Sequence, residues 1–308
     1  MGNGESAGSN KRTFLCECLK SVFVAGDTVR LEFIWPGPAP RGGQFFLIKP
    51  QRTSVFLGRP ISVADWKQRV PPVQYEEKER RVHVDRRLIS NRHMNPGARR
   101  AINSRVFTDR RQTPGIVLGF YVIRRGSGSR DIVDIRPGEE AVLIGPLGNY
   151  WAQTDILSGN SRGPIALVGG GVGIAPLLAS IPELENRAFD LYAGFRTGSF
   201  GLKNIKPRSL IISTEDGSLG LKGRITDFFT PSGYGMVFAC GPEPMLKVVG
   251  DACIASDVPC FISMETHIAC GVGACLGCTV KTTKGIRHCC TDGPIFKAEE
   301  VCFSGQGN

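Results

Sequence analysis

The residues richest in chemistry lie near the end of the chain. Cys270, Cys275 and Cys278 stand in "ACGVGACLGC", a C-x4-C-x2-C spacing, and Cys289 and Cys290 follow in "HCCTDGPIF". Five thiols are thus offered where most sites need four. Three soft ligands at this spacing, with a fourth from further along the chain, form the plant-type pattern for a [2Fe–2S] cluster. Gly271, Gly273 and Gly277 lie among them and let backbone amides turn inward, offsetting a cluster's negative charge. A zinc site ordinarily shows two C-x2-C knuckles, and only one is present. Disulfides are the remaining reading. The chain opens on a polar Gly/Ser-rich stretch with no apolar run of signal length, and its 11 cysteines are an odd number. A cytoplasmic, reducing setting is therefore expected, in which clustered thiols bind metal or do redox work.

A second constellation is "LVGGGVGIAP". Gly169, Gly170, Gly171 and Gly173 separate the apolar run Ile165–Val168 from a helix that Pro176 can open in its first turn. Without β-carbons the backbone can approach a diphosphate, and a helix start supplies N–H donors. Position 174 is Ile, so this is not a strict G-x-G-x-x-G, and a tight turn that binds nothing is the competing reading. In "GRPISVADW", Arg59 could clamp a diphosphate and Ser62 could hydrogen-bond a flavin ring edge. A surface Arg beside a core strand explains the same residues. "YVIRRGSGS", with Gly126, Gly128 and Ser129, reads either as a small-residue phosphate turn or as a plain hairpin.

These residues need scaffolds of two kinds. From Phe14 to Trp66, and again in "VLGFYVIRR" and "EEAVLIGPLG", short apolar runs alternate with Gly and Pro, which predicts an antiparallel sheet or small barrel. From Pro164 the pattern changes to buried strand, glycine turn and helix, repeated through "DLYAGF", "SLIISTED" and "GMVFACGPEPMLKVVGDAC". That is the grammar of a doubly wound α/β domain. The last fifty or so residues, dense in Cys and Gly, are too few for a large core and are expected to fold around what the thiols bind. The predicted organisation is a flexible tail over 1–13, a β-barrel over 14–155 with a basic insertion at 67–113, an α/β domain over 163–255 and a cluster domain over 256–308.

The net charge of +10 is concentrated rather than general. Between Lys78 and Arg111 there are eleven Lys/Arg against three Asp/Glu, which leaves only +2 for the rest of the chain. A solvated loop accounts for that segment, a docking surface for an acidic partner or nucleic acid is the competing reading, and a footprint over the whole folded surface is poorly supported. No run is long and apolar enough to span a membrane. The four histidines, His83, His93, His267 and His288, are scattered, and no Ser/His/Asp set can be assembled from them.

Taken together and in order, "RPIS", "GPLGNYW", "VGGGVGIAP", "STEDGSLGLKG", "CGPEPM" and "ACGVGACLGC…CTDGPIF" resemble the electron transfer subunit of the NAD-dependent (class 1B) dihydroorotate dehydrogenases, within the ferredoxin reductase superfamily. The resemblance runs from about Phe14 to Phe303. It departs at the basic insertion, at Cys289 beside an expected ligand, and at Ser129 where Thr is usual.

The resemblance implies a β-barrel flavin domain, a doubly wound dinucleotide domain and a small [2Fe–2S] domain. Arg59, Pro60, Ile61 and Ser62 match the flavin motif, with Tyr121, Val122 and Ile123. Gly128 and Ser129 match the turn at the FAD diphosphate. Gly169, Gly170, Gly171 and Gly173 match the nicotinamide dinucleotide loop, and Cys240, Gly241 and Pro242 a strand end near the nicotinamide. Asp216 and Gly217 belong to the same rim. The family pattern puts the fourth ligand two residues before "DGP", which makes Cys290 the partner of Cys270, Cys275 and Cys278, and Cys289 an inward-packed thiol.

The implied function is electron transfer in pyrimidine biosynthesis, from the FMN of a separate catalytic subunit through [2Fe–2S] and FAD to NAD+, in a heterotetramer of two copies of each chain. No residue here need serve as a nucleophile or general acid. The alternative is the small subunit of a sulfide dehydrogenase or of an NAD(P)H:ferredoxin-type oxidoreductase. Those relatives tend to have Asp at the first ligand position, where this chain has Cys270.

Overall fold

Alternation of buried and part-exposed residues builds the first half. In the computed structural model, which describes residues 12–69, 115–153, 163–184 and 187–303, strand β1 (Arg12–Ala25) leads into β2 (Thr28–Trp35). Every second residue of "TVRLEFIW" from Val29 onward faces the interior, as a half-buried strand requires. Then come β3 (Phe45–Pro50), β4 (Arg59–Gln68), β5 (Ile116–Ile123), helix α1 (Ser127–Val133) and β6 (Glu140–Leu147). The six strands close into a barrel in the order β1-β2-β5-β4-β3-β6, which leaves no free edge. Its core is aromatic: Trp35 meets Phe46 edge-on at 4.9 Å, and Phe46 meets Phe120 at 5.8 Å.

Two expected boundaries shift. Backbone pairing starts at Arg12, opposite Gly145, so the first strand takes in the end of the expected tail. β4 runs on through Gln68, past the expected start of the insertion. The chain divides into two units, Met1–Lys67 with Ile116–Asn308, and Gln68–Gly115. Of the second, all but Gln68, Arg69 and Gly115 lies outside the described residues, and so do the basic cluster, His83 and His93.

The second half is a seven-stranded sheet in the order β10-β9-β8-β7-β11-β12-β15. Its strands are β7 (Ile165–Gly170), β8 (Phe189–Phe195), β9 (Ser209–Thr214), β10 (Leu221–Lys222), β11 (Met236–Cys240) and β12 (Cys260–Ser263), all parallel, with α2 (Ile174–Ser180) and α3 (Glu243–Ala255) between them. "IALVGG", "FDLYAGF" and "MVFAC" are almost wholly buried, as strands covered on both faces must be. The C-terminal segment adds the hairpin β13 (Thr279–Thr282) and β14 (Gly285–His288). It also lends β15 (Ile295–Lys297), antiparallel, to the outer side of β12. The cysteine-rich segment is therefore sewn into the dinucleotide sheet.

Barrel and sheet are joined by polar contacts that run from the surface to the core. Arg41 Nε and the Gly42 amide both donate to Glu183 Oε1, at 3.0 and 2.9 Å. Trp151, fully buried, donates from Nε1 to the Pro176 carbonyl at 3.1 Å and stacks on Phe238 at 4.7 Å. A β-carbon on Gly42 would come 2.4 Å from Ser180 Cα, so only glycine permits this approach.

Candidate functional site

The loop between Ile268 and Cys278 has no regular structure. It is shaped by left-handed residues, Gly271 (φ 69°), Gly273 (φ 80°) and Leu276 (φ 53°). That path turns amides toward sulfur: the N–H groups of Val272 and Cys275 both donate to Cys270 Sγ at 3.4 Å. These bonds, Val272's foremost, pull the Cys270 thiol down to about 6 against the opposing effect of burial. The loop is built to hold a thiolate.

Cys278 and Cys290 form a second pair, both buried, with sulfurs 3.3 Å apart. Burial, reinforced by the hydrogen bond to Cys278, pushes Cys290 up to about 12. A bound cation reverses that preference by neutralising the thiolates. Among the described residues no three Cys, His, Asp or Glu side chains converge tightly enough for one metal ion. The thiols instead stand as two pairs, Cys270 with Cys275 and Cys278 with Cys290. Two pairs of soft donors ringed by amides fit a two-iron cluster.

Cys289 points elsewhere. It is fully buried, its thiol donates to the Met264 carbonyl at 3.6 Å, and burial pushes it up to about 11. Both residues lie in the turn that follows β14, which sends one thiol to Cys278 and the other into the core. His288 closes the turn that follows: its amide donates to Asp292 Oδ2 at 2.7 Å, and its carbonyl accepts from Asp292 N at 2.8 Å.

The flavin motif lies on two strands that neighbour each other in the barrel. Arg59, Pro60, Ile61 and Ser62 begin β4, opposite Ile48, Leu47, Phe46 and Phe45 of β3. Tyr121, Val122 and Ile123 end β5. The segment after them is a helix start, not a hairpin, because Ser129 Oγ caps it. That oxygen accepts from the amides of Arg125 and Gly126 at 2.9 and 3.0 Å and donates to the Gly126 carbonyl at 3.0 Å.

A β-carbon on Gly128 would sit 2.3 Å from Arg59 Nε, so the guanidinium lies directly across this turn. The two segments meet, and they fit a diphosphate held by Arg59 over bare backbone. Gly128→Ala should displace the flexible Arg59 side chain at little cost in stability while weakening flavin retention about tenfold, ~1.4 kcal/mol. Flavin released on dilution, followed by fluorescence, checks this.

The dinucleotide candidates also converge. Gly169 pairs across the sheet with Cys240. β-Carbons on Gly170 and Gly173 would lie 2.7 Å from Met245 Sδ and 2.4 Å from the Cys240 carbonyl oxygen, whereas Gly171 (φ 55°) faces open space. The glycine loop and the Cys240–Gly241–Pro242 strand end thus form one surface at the carboxyl edge of the sheet, where doubly wound folds take ligands. Burial pushes the Cys240 thiol up to about 12, which keeps it a neutral group. Asp216 Oδ1 accepts from Ser218 N and Oγ, at 3.0 and 2.7 Å, and so shapes the rim.

One set of residues was not singled out from the sequence. A β-carbon on Gly271 would meet Leu147 Cδ1 at 2.8 Å and Leu47 Cδ1 at 3.0 Å, so the cysteine loop rests on β3 and β6. Behind it, Asn149 bonds the segment after Cys290. "GPLGNYW" was visible as a motif, but apolar barrel residues and a lone Asn carry no signal of what they touch.

A closed antiparallel barrel joined to a doubly wound sheet, with paired thiols beside the barrel, is an architecture suited to an iron–sulfur oxidoreductase. Residues 265–302 match the family model described as the iron-sulfur cluster binding domain of dihydroorotate dehydrogenase B. The chain is 42% identical to the dihydroorotate dehydrogenase B (NAD(+)) electron transfer subunit of Clostridium acetobutylicum, over 58% of this chain and 72% of that protein. It is 30% identical to that of Caldanaerobacter subterraneus subsp. tengcongensis, over 91% and 94%. The chain belongs to this family, the electron transfer subunits of dihydroorotate dehydrogenase B. A solved structure of an NADH-dependent reduced ferredoxin-NADP oxidoreductase, described for flavin-based electron bifurcation, superposes with TM-score 0.66 at 23% identity, covering 94% of this chain and 90% of that one. It shows the shared fold.

Proposed function

We propose that this chain carries electrons between a dihydroorotate-oxidising catalytic subunit and NAD+, with FAD and a [2Fe–2S] cluster as resident cofactors. Bound flavin supplies the exchange between single electrons and hydride that neither a cluster nor a nicotinamide can perform alone. The chain's own residues hold and orient. Arg59 and the Gly128 turn take the FAD diphosphate, and Ser62, with Tyr121, Val122 and Ile123, lines the flavin. Gly169 to Gly173 and Cys240 to Pro242 receive the dinucleotide, and Cys270, Cys275, Cys278 and Cys290 bind the cluster.

The observation that carries this reading is the seating of the cysteine loop. Gly271 rests on Leu47 of β3, the cross-strand partner of Pro60 in β4, so the cluster loop is seated on the strand next to the flavin candidates. Cys270 at the first ligand position favours this family over the sulfide dehydrogenase and ferredoxin oxidoreductase subunits.

The working assembly pairs this chain with the catalytic FMN subunit, in two copies of each, in the cytoplasm and without membrane or nucleic acid. Among the described residues no helix is long and apolar enough to cross a membrane.

Purified anaerobically, the chain should show flavin and [2Fe–2S] absorbance and oxidise NADH with an artificial acceptor. It should oxidise dihydroorotate only when the catalytic subunit is added. Absence of flavin, or dihydroorotate oxidation by the chain alone, overturns the reading.

A further inference from the structure

Asn149 sits just past the end of β6, half-buried, with its amide against the backbone that follows Cys290. Its Oδ1 accepts from Ile295 N at 3.0 Å, while Nδ2 donates to the carbonyls of Ile295 and Asp292 at 2.9 and 3.1 Å. Its own N–H donates to the Gly293 carbonyl at 2.6 Å. The side chain thus imitates a peptide unit of an adjoining strand, because it engages both backbone groups of Ile295 while β12 lies on the other side of β15. Only a planar amide of this reach supplies one acceptor and two donors together. An aspartate would present an oxygen to two carbonyl oxygens, and an alanine would leave buried backbone groups unpaired.

The neighbouring residues force the same alignment. Gln44 Nε2 donates to the Gly148 carbonyl at 3.0 Å, and Gly148 (φ 78°) approaches Pro294 so closely that a β-carbon there would lie 2.6 Å from Pro294 Cδ. On the other end of this segment, the His288 carbonyl gathers the amides of Thr291, Asp292 and Gly293 at 3.2, 2.8 and 3.3 Å, which makes Cys289 to Gly293 a single stiff turn. Asn149 holds the far end of that turn, and Leu47 with Leu147 supports the Cys270 side of the loop. The thiols are thereby fastened at two points to β3 and the end of β6, and β3 pairs directly with the strand that carries Arg59 to Ser62.

We propose that Asn149 is a positioning residue for electron transfer. It fixes the Cys290 turn against the barrel, and with it the gap that an electron must cross between cluster and flavin. The inference rests on the proposed function above. Electron transfer falls steeply with distance, so a turn that is still folded but loosely held should slow this step and leave others alone. The hydride step from NADH depends on the glycine loop at the sheet edge and does not involve Asn149.

The test uses the full chain in complex with its catalytic subunit, as Asn149→Ala and Asn149→Asp. Rapid mixing with NADH follows flavin reduction and cluster reduction separately. Iron content, flavin content and the cluster's midpoint potential are measured on the same samples. Both variants should retain iron, flavin and potential and reduce their flavin at the wild-type rate. Cluster reduction should be slowed several-fold, as expected of a longer gap between cluster and flavin. An unchanged cluster rate overturns the proposal. So does loss of iron from both variants, or a shifted potential that accounts for the slowing, since Asn149 would then hold or tune the cluster instead of placing it. A wild-type cluster that NADH never reduces counts against the proposed function and not against Asn149.

Discussion

Cys290→Ser should empty the cluster site, while Cys289→Ala leaves iron and the electron paramagnetic resonance spectrum unchanged. The two thiols are neighbours in sequence and opposites in space. Cys290 Sγ lies 3.3 Å from Cys278 Sγ, beside the loop whose amides are turned on Cys270. Cys289 Sγ is committed to the Met264 carbonyl within the core. Exchange of roles would need the turn itself to be rebuilt, against the three amides bonded to the His288 carbonyl. Serine at 290 retains the shape but offers a harder, less acidic ligand to iron. At 289, alanine leaves a small cavity worth about 1 kcal/mol of stability. Iron per chain and visible absorbance decide the matter, and the opposite pattern would reverse the assignment.

Gly173→Ala should strike dinucleotide binding almost as hard. Its φ of −62° is one that alanine accepts, so backbone preference is not the issue. The new methyl would stand 2.4 Å from the Cys240 oxygen, 2.6 Å from its carbonyl carbon and 2.7 Å from Gly241 N, all of them main-chain atoms. Something must move, at about 1–3 kcal/mol for an overpacked contact. What moves is the junction between the glycine loop and the strand end that together receive the dinucleotide. The KM for NADH should rise at least about tenfold with flavin and iron content unchanged. Gly171→Ala supplies the contrast, since it meets nothing but must hold φ at 55°. A KM that stays at the wild-type value in Gly173→Ala would remove this junction from the binding surface.

Much of this was legible in the chain because period and punctuation are local. "TVRLEFIW" announces its strand by alternation, and "IALVGGGVGIAP" announces strand, turn and helix by composition alone. The cysteine spacing pointed to a cluster, and it was the resemblance rather than the spacing that implied different places for Cys289 and Cys290. Three things were not legible, each for a physical reason. Helix α1 looks like a turn because its first residues are Ser-Gly-Ser, poor helix formers, and only the folding back of the Ser129 hydroxyl onto Arg125 and Gly126 stabilises the start. β15 has three residues, too few for any periodicity, and its place is set by pairing Ile295 with Ser263 across the intervening cysteine loop. Asn149 is one polar residue in a glycine-rich stretch, and its partners lie 143 to 146 positions away.

The addition of β15 to the dinucleotide sheet bears on how the chain survives in solution. Without it, β12 would be the sheet's outermost strand. Its four residues, "CFIS", are all buried at present, and an apolar strand with unpaired amides is a template for other chains. β15 is their cover, and it is anchored through the turn that carries Cys290. Solubility is therefore coupled to the pairing of β15 with β12 and to its hold on Asn149. A chain whose β15 came away from β12 should fail by self-association, through the bared edge of that apolar strand.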